Sequence, residues 1–220
     1  MLLNEKHVIM ELPQSRNLTT EKLGNIFQHT ASTYKFYWFI SILDLYKKRG
    51  FTTIPHWNIM VEMVANAWCP VIIGNLSLGK VDSMRNAITT LQKAHYLSES
   101  IGQDELRVWL NDHKNDSSVI RTINFLPKNV PYRFLRPWID TDDPHEVIRQ
   151  SQTFANHCLY AIYKNDEDLS IRLNDEWLSY FDEYYLLLKN FAVEELIAFL
   201  QSRNPKRNDV EEVVSRSLNE

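Results

Sequence analysis

The run Gly74-Asn75-Leu76-Ser77-Leu78-Gly79-Lys80 has the spacing of a phosphate-binding loop, with the apolar Val71-Ile72-Ile73 before it and a helical pattern after it. Such a loop works because successive backbone N–H groups and a helix N-terminus surround the phosphates, a Lys reaches the terminal one, and a Ser or Thr hydroxyl holds magnesium. Here the hydroxyl position is Val81, which has no oxygen to offer a metal. Three helical patterns also precede the segment, where a nucleotide-binding sheet should begin, and Val108 to Asp112 imitates a metal-binding strand end only weakly. A turn joining two helices is the better reading of these residues.

Asp140, Asp142, Asp143, His145 and Glu146 form an oxygen-rich cluster of the kind that holds a divalent metal. Asp143 before Pro144 is also a natural helix start, with Pro at the first helical position and acids complementing the dipole, and capping is the favoured reading. The histidines His7, His29, His56, His95, His113, His145 and His157 show no HExxH spacing or local zinc pair. Cys69 and Cys158 lie in apolar segments, where inert buried thiols are commoner than nucleophiles, and they form neither a CxxC pair nor a disulfide framework. The sequence therefore points to no catalytic residue, no metal ligand set and no cofactor.

Cations remain as candidate chemistry. Lys47, Lys48 and Arg49 close one helix, where they also complement its C-terminal dipole. Arg133 and Arg136 stand among Tyr132, Phe134 and Trp138, and Arg203, Lys206 and Arg207 follow the last strong helical pattern. With Lys35, these are the candidate phosphate contacts, and the neighbouring aromatics are candidate stacking platforms; solvated surface charge explains them equally well.

Helices must position these groups. Thr19 and Thr20 precede Leu23, Ile26 and Phe27, predicting a helix that ends near His29. Ser32 or Thr33 then caps a second through Lys48, apolar nearly all round and stopped by Gly50, so it is expected at the centre. Pro55 to Trp68, Val81 to Leu97 and the region of Leu106 to Leu110 continue the helical character, so the first half is read as all helix. Pro127, Pro131, Pro137 and Pro144 mark an irregular connector over Asn124 to Pro144. Alternation on either side of Asn165 to Asp168 predicts a hairpin, and Asn174 caps the first member of a helix pair, Asp175 to Leu188 and Phe191 to Ser202. The fold class is thus mainly α, a multi-helix domain with a short β-hairpin in its C-terminal half. Residues 1–125 form a helical lobe and 126–205 the connector, hairpin and helix pair. Residues 206–220 read as a linker or tail, and the whole as one compact domain.

The length of 220 residues supports a real core, and 44% hydrophobic residues with Gly 5 exclude a low-complexity chain. A formal charge of −4 argues against indiscriminate nucleic-acid binding and leaves a local basic face open. Met1 to Pro13 shows no uninterrupted apolar stretch for export, and Phe36 to Leu43 is far shorter than the roughly 18 to 20 residues a bilayer needs. The expectation is a cytoplasmic chain with no membrane segment.

Several blocks resemble the N-terminal region of bacterial HNH endonuclease domain-containing proteins. They are Thr30 to Phe39, Ala65-Asn66-Ala67-Trp68-Cys69-Pro70-Val71, Leu76-Ser77-Leu78-Gly79-Lys80 with Asp82, Asn129 to Leu135, and Phe199 to Pro205. The resemblance spans most of the chain and implies that the glycine segment is a helix-joining Leu-Ser-x-Gly-Lys run. In such proteins a metal-dependent nuclease module follows the Arg-Asn-Pro block, and hydrolysis needs its general-base His and metal ligands together. The expectation is that this module is absent here and that none of its residues carries over. The resemblance implies a non-catalytic recognition domain of an HNH nuclease system, in restriction or phage defence, contacting DNA or a partner nuclease module or subunit. A degenerate nucleotide-binding protein, a metal hydrolase and a protein-interaction scaffold are the alternatives.

Overall fold

The computed structural model describes residues 12–123, 128–154, 156–165 and 168–218. In chain order the elements are α1 (Thr20–Gly24), α2 (Tyr34–Arg49), β1 (Thr53–Pro55), α3 (His56–Trp68), a π-helical turn (Cys69–Ile73), α4 (Met84–Ala94), α5 (Gln103–Asp112), α6 (Ser117–Ile123), α7 (Val130–Phe134), α8 (Pro144–Ser151), β2 (Tyr160–Lys164), β3 (Leu169–Leu173), α9 (Asp175–Arg203) and α10 (Val210–Leu218). The expectations for Met1 to Glu11, Asn124 to Pro127 and the turn residues 166–167 fall outside the described residues.

Helix α2 is the central element because its sequence leaves it no polar face: every position from Phe36 to Leu45 is buried. Gly50 ends it with a left-handed φ of 71°, a conformation that costs Gly little. Its start is held from a distance. Thr33 makes no side-chain cap; the carboxylate of Asp82 accepts from Thr33 N at 2.7 Å and Thr33 Oγ1 at 2.6 Å, and its other oxygen accepts from Met84 N at 2.9 Å. One buried acid thus ties together the first turns of α2 and α4. Burial raises its pKa, against the lowering effect of those hydrogen bonds.

The sheet has strand order β1-β3-β2, antiparallel throughout, with Ile54, Ile171 and Ile162 aligned across it and fully buried. The hairpin was expected, but the third strand corrects the all-helical reading of the first half. Only Ile54 of β1 points inward, which is too little alternation to register as a strand signal, and Pro55 is tolerated because β1 is an edge. On the opposite edge, Ser151 Oγ accepts from Ile162 N at 3.1 Å and Gln152 Nε2 donates to Ile162 O at 2.9 Å, so the end of α8 covers β2.

Two further corrections concern the C-terminal third. Asp175 to Arg203 is a continuous run of 29 residues made of two helical stretches joined by a kink at Tyr184 (φ −114°, ψ 17°), not an antiparallel pair that turns between Leu188 and Phe191. No Gly or Pro lies between Leu188 and Phe191, so nothing breaks it there. Asn174 caps its start as expected, accepting from Glu176 N. Residues Val210 to Leu218 form α10 and are no frayed tail: Val210, Val214 and Leu218 recur one turn apart, are buried, and seat the helix against α3, α9 and the π-helical turn. The connector also holds structure, since α7 lies within it.

The core is aromatic and continuous across the expected lobe boundary. Phe39 meets Phe134 at 5.7 Å between ring centroids, and Phe134 meets Tyr160 at 6.0 Å. Trp38 Nε1 donates to Tyr160 Oη at 3.1 Å, and that phenol donates to Pro131 O at 2.7 Å. Together these contacts fix the short α7 against the middle of α2.

Candidate functional site

Helix α7 buries Val130, Pro131 and Phe134 and so must turn Arg133 outward; Arg136 follows in the next turn, also exposed. Both then lie beside the first turn of α2. There Tyr34, Lys35 and the preceding His29 to Ser32 close a cavity of about 460 Å³ that is also lined by Lys128, Asn129, Arg133 and Arg136. Among the described residues no acidic side chain lines this cavity. Lys35 Nζ donates one hydrogen bond, to Ile26 O at 2.9 Å, and its pKa is lowered chiefly by burial and then by the positive charges of Arg136 and Arg133.

The cavity lies beside the start of a helix. Helix α2 spans 16 residues, and the positive end of its dipole is already met by the Asp82 carboxylate, which accepts from Thr33 N. Thr30 Oγ1 is sealed from solvent with no hydrogen-bond partner among the described residues. Tyr34 is held in place by Ser83, whose Oγ lies 2.6 Å from the phenol oxygen and whose N donates to it at 2.8 Å. A second hollow of about 190 Å³ shares Asn129, Arg133 and Arg136 and adds Tyr132, Thr141 and Asp142. Asp142 pairs with Arg136 there, on the side away from Lys35.

The structure thus brings together three of the nine candidate cations, Lys35, Arg133 and Arg136. Sequence reasoning missed Lys128, His29 and Thr30. Lys128 was findable, because it opens the basic and aromatic stretch that runs to Trp138.

The other six cations are elsewhere. Lys47, Lys48 and Arg49 sit at the far end of α2, about 18 Å from Lys35 at 1.5 Å of rise per residue. Lys47 pairs with Asp182 at 3.1 Å, while Lys48 and Arg49 line a mixed-charge cavity of about 410 Å³ with Asp44, Glu62, Asp104 and Arg107. Arg207 is held in structure: it grips both carboxylate oxygens of Asp209 and donates to Gly74 O at 2.9 Å. Arg203 lies over the Phe199 ring at 4.8 Å, and Lys206 is exposed.

The chemistry-bearing motifs are absorbed by the fold. Gly74 to Lys80 follows a π-helical turn and not a strand, and α4 begins four residues after Lys80. Its backbone faces the protein: Leu76 O accepts from Arg85, and Ser77 N donates to Asn204 Oδ1 at 2.9 Å. In the acidic cluster, Asp143 caps α8 by accepting from His145 N at 3.0 Å, and Glu146 binds Arg149 and Gln150. The Glu146 pKa is pulled down to about 2, first by its bond from Arg149. Cys158 is buried, which raises its thiol to about 12, and Cys69 donates to Val213 O. Among the described residues no group of three His, Cys, Asp or Glu stands where it could hold a metal, and no helix is long and apolar enough to cross a membrane.

Comparison with protein-family models, with curated proteins and with solved structures found no match in any of the three.

Proposed function

We propose that this chain is a recognition domain that grips nucleic-acid phosphates at the cavity between α2 and α7, and that it serves an HNH-type endonuclease in restriction or defence against foreign DNA. The observation that carries the first part is the convergence of Lys35, Lys128, Arg133 and Arg136 on one cavity with no carboxylate among the described residues of its lining. Asp142 pairs with Arg136 from the adjoining hollow, but the remaining like charges repel one another, and a phosphate backbone neutralises them. The link to a nuclease rests on the sequence blocks alone. Two of them, Thr30 to Phe39 and Asn129 to Leu135, supply most of the cavity wall.

A binding titration with short single-stranded and duplex DNA across a salt series tests the proposal. The affinity is expected to fall with salt at a slope of about −0.7 per phosphate contact for single strands and about −0.9 for duplex. With three or four contacts the slope lies between about −2 and −3.6. No binding at low salt, or binding indifferent to salt, would remove it.

A further inference from the structure

Resting on the reading of the cavity as a phosphate grip, we infer that it takes the phosphomonoester end of a single strand, with the terminal nucleoside seated beside Tyr132 in the adjoining hollow. Three observations lead there. The first is charge density. A phosphodiester carries one negative charge, whereas a terminal phosphate carries about −1.5 to −2 near neutral pH. Four cations around one cavity, with Arg136 paired to Asp142 from the adjoining hollow, leave a positive excess that matches the latter.

The second is concavity. Duplex binders lay their cations along the helix, which presents a charge roughly every 1.7 Å of its axis. Here the next candidate cations on α2 lie about 18 Å away, where Lys47 is already paired with Asp182. A volume of about 460 Å³ falls instead within the range of small-ligand sites, roughly 300–1,000 Å³.

The third is the asymmetry of the walls. On the Lys35 side the lining is basic, and on the Tyr132 side Asp142 stands beside Arg136. A strand running through both hollows would bring a second phosphate toward Asp142. A strand that ends in the cavity places an uncharged sugar and base there, where the half-buried Tyr132 offers a ring for stacking.

The test is fluorescence anisotropy on the whole chain at fixed ionic strength, with one labelled oligonucleotide prepared with a 5′-phosphate, with a 3′-phosphate, or with hydroxyls at both ends. One phosphorylated form is expected to bind about tenfold tighter or more than the hydroxyl form, as charge-assisted hydrogen bonds to an extra oxygen allow. Arg133→Gln, checked for folding by circular dichroism, should abolish that difference, while Lys47→Gln keeps it. Inorganic phosphate should compete with the phosphorylated strand on the unaltered chain, a readout that needs no variant to fold. Equal affinity for all three strands would overturn end selectivity and leave the phosphate grip standing. No strand bound at low salt would overturn both readings. A preference that survives Arg133→Gln would place the site elsewhere and overturn this inference.

Discussion

The indole of Trp38 donates to the phenol oxygen of Tyr160 at 3.1 Å, joining the buried middle of α2 to the start of β2 across 122 residues of chain. Because the same phenol donates to Pro131 O, it also holds α7, and through α7 it sets where Arg133 points. Tyr160→Phe keeps the ring packing and deletes both bonds. Two buried groups then lose their partner, so unfolding in urea should show a loss of about 1–3 kcal/mol. Affinity for the ligand of the basic cavity should fall as well, although Tyr160 does not line it. A variant as stable as the parent would show that the relay is incidental.

A second long-range pair makes a different kind of demand. Lys189 on α9 meets Asp44 on α2 at 3.1 Å, with side-chain exposures of 11% and 5%, and Tyr185 donates to the same carboxylate at 2.6 Å. Burial lowers the Lys189 pKa, and Asp44 counters that shift. Asp44→Ala strands a buried ammonium and should cost about 3–5 kcal/mol. Removing both charges in Asp44→Leu/Lys189→Met should cost less than that single change, because no unpaired charge remains. Denaturant titrations of Asp44→Leu, Lys189→Met and the double variant give the coupling directly; additive losses would show that the pair acts as two independent residues.

The parts of this fold that were legible in sequence are those whose signal is local. The apolar girth of α2, the Gly50 stop, the hairpin and the Asn174 cap each declare themselves within a few residues. The illegible parts depend on partners far along the chain. Strand β1 exists because Ile54 finds Ile171, and although the start of α2 was legible at Ser32 or Thr33, the distant Asp82 that holds it there was not. The stripe of α10 was masked by Asp209, Glu211 and Glu212 beside its apolar positions. The candidate site shows the same division. Residue types at Lys35, Arg133 and Arg136 announced cations, but their convergence spans about a hundred residues and is decided by the packing of Phe134 on Phe39.

His56 gives the stability a predictable pH dependence. Its ring lies 5.9 Å from Trp38, and although the residue as a whole is only partly buried, Nε2 is sealed from solvent and has no partner among the described residues. Burial lowers its pKa from 6.5 to about 4. Between those values the unfolded chain binds a proton that the folded chain refuses, so the contribution is complete above pH 6.5 and is lost as pH falls toward 4. At 1.36 kcal/mol per unit the loss is about 3 kcal/mol at most. Urea titrations at pH 7 and pH 4.5 should show it, and His56→Phe should flatten the difference; an unchanged slope in that variant would assign the loss to other groups.

A site built for a ligand leaves its own mark on stability when empty, and this separates the cations of the cavity from those that serve the fold. Among the described residues Arg133 has no ion pair, and its charge disfavours the neighbouring charge on Lys35. Arg133→Gln should therefore leave the urea midpoint unchanged or raise it, by no more than about 0.5 kcal/mol. The same change should weaken nucleic-acid binding and make the salt slope about 0.7 to 0.9 shallower, one phosphate contact's worth. Arg207→Gln should do the reverse. It releases Asp209 and Gly74 O, which hold the entry to α10, and so should lower stability while the salt slope stays as it was. Measured together, opposite responses in the two variants would assign Arg133 to the ligand and Arg207 to the fold. Parallel responses would mean that the basic cavity is no more than a solvated surface.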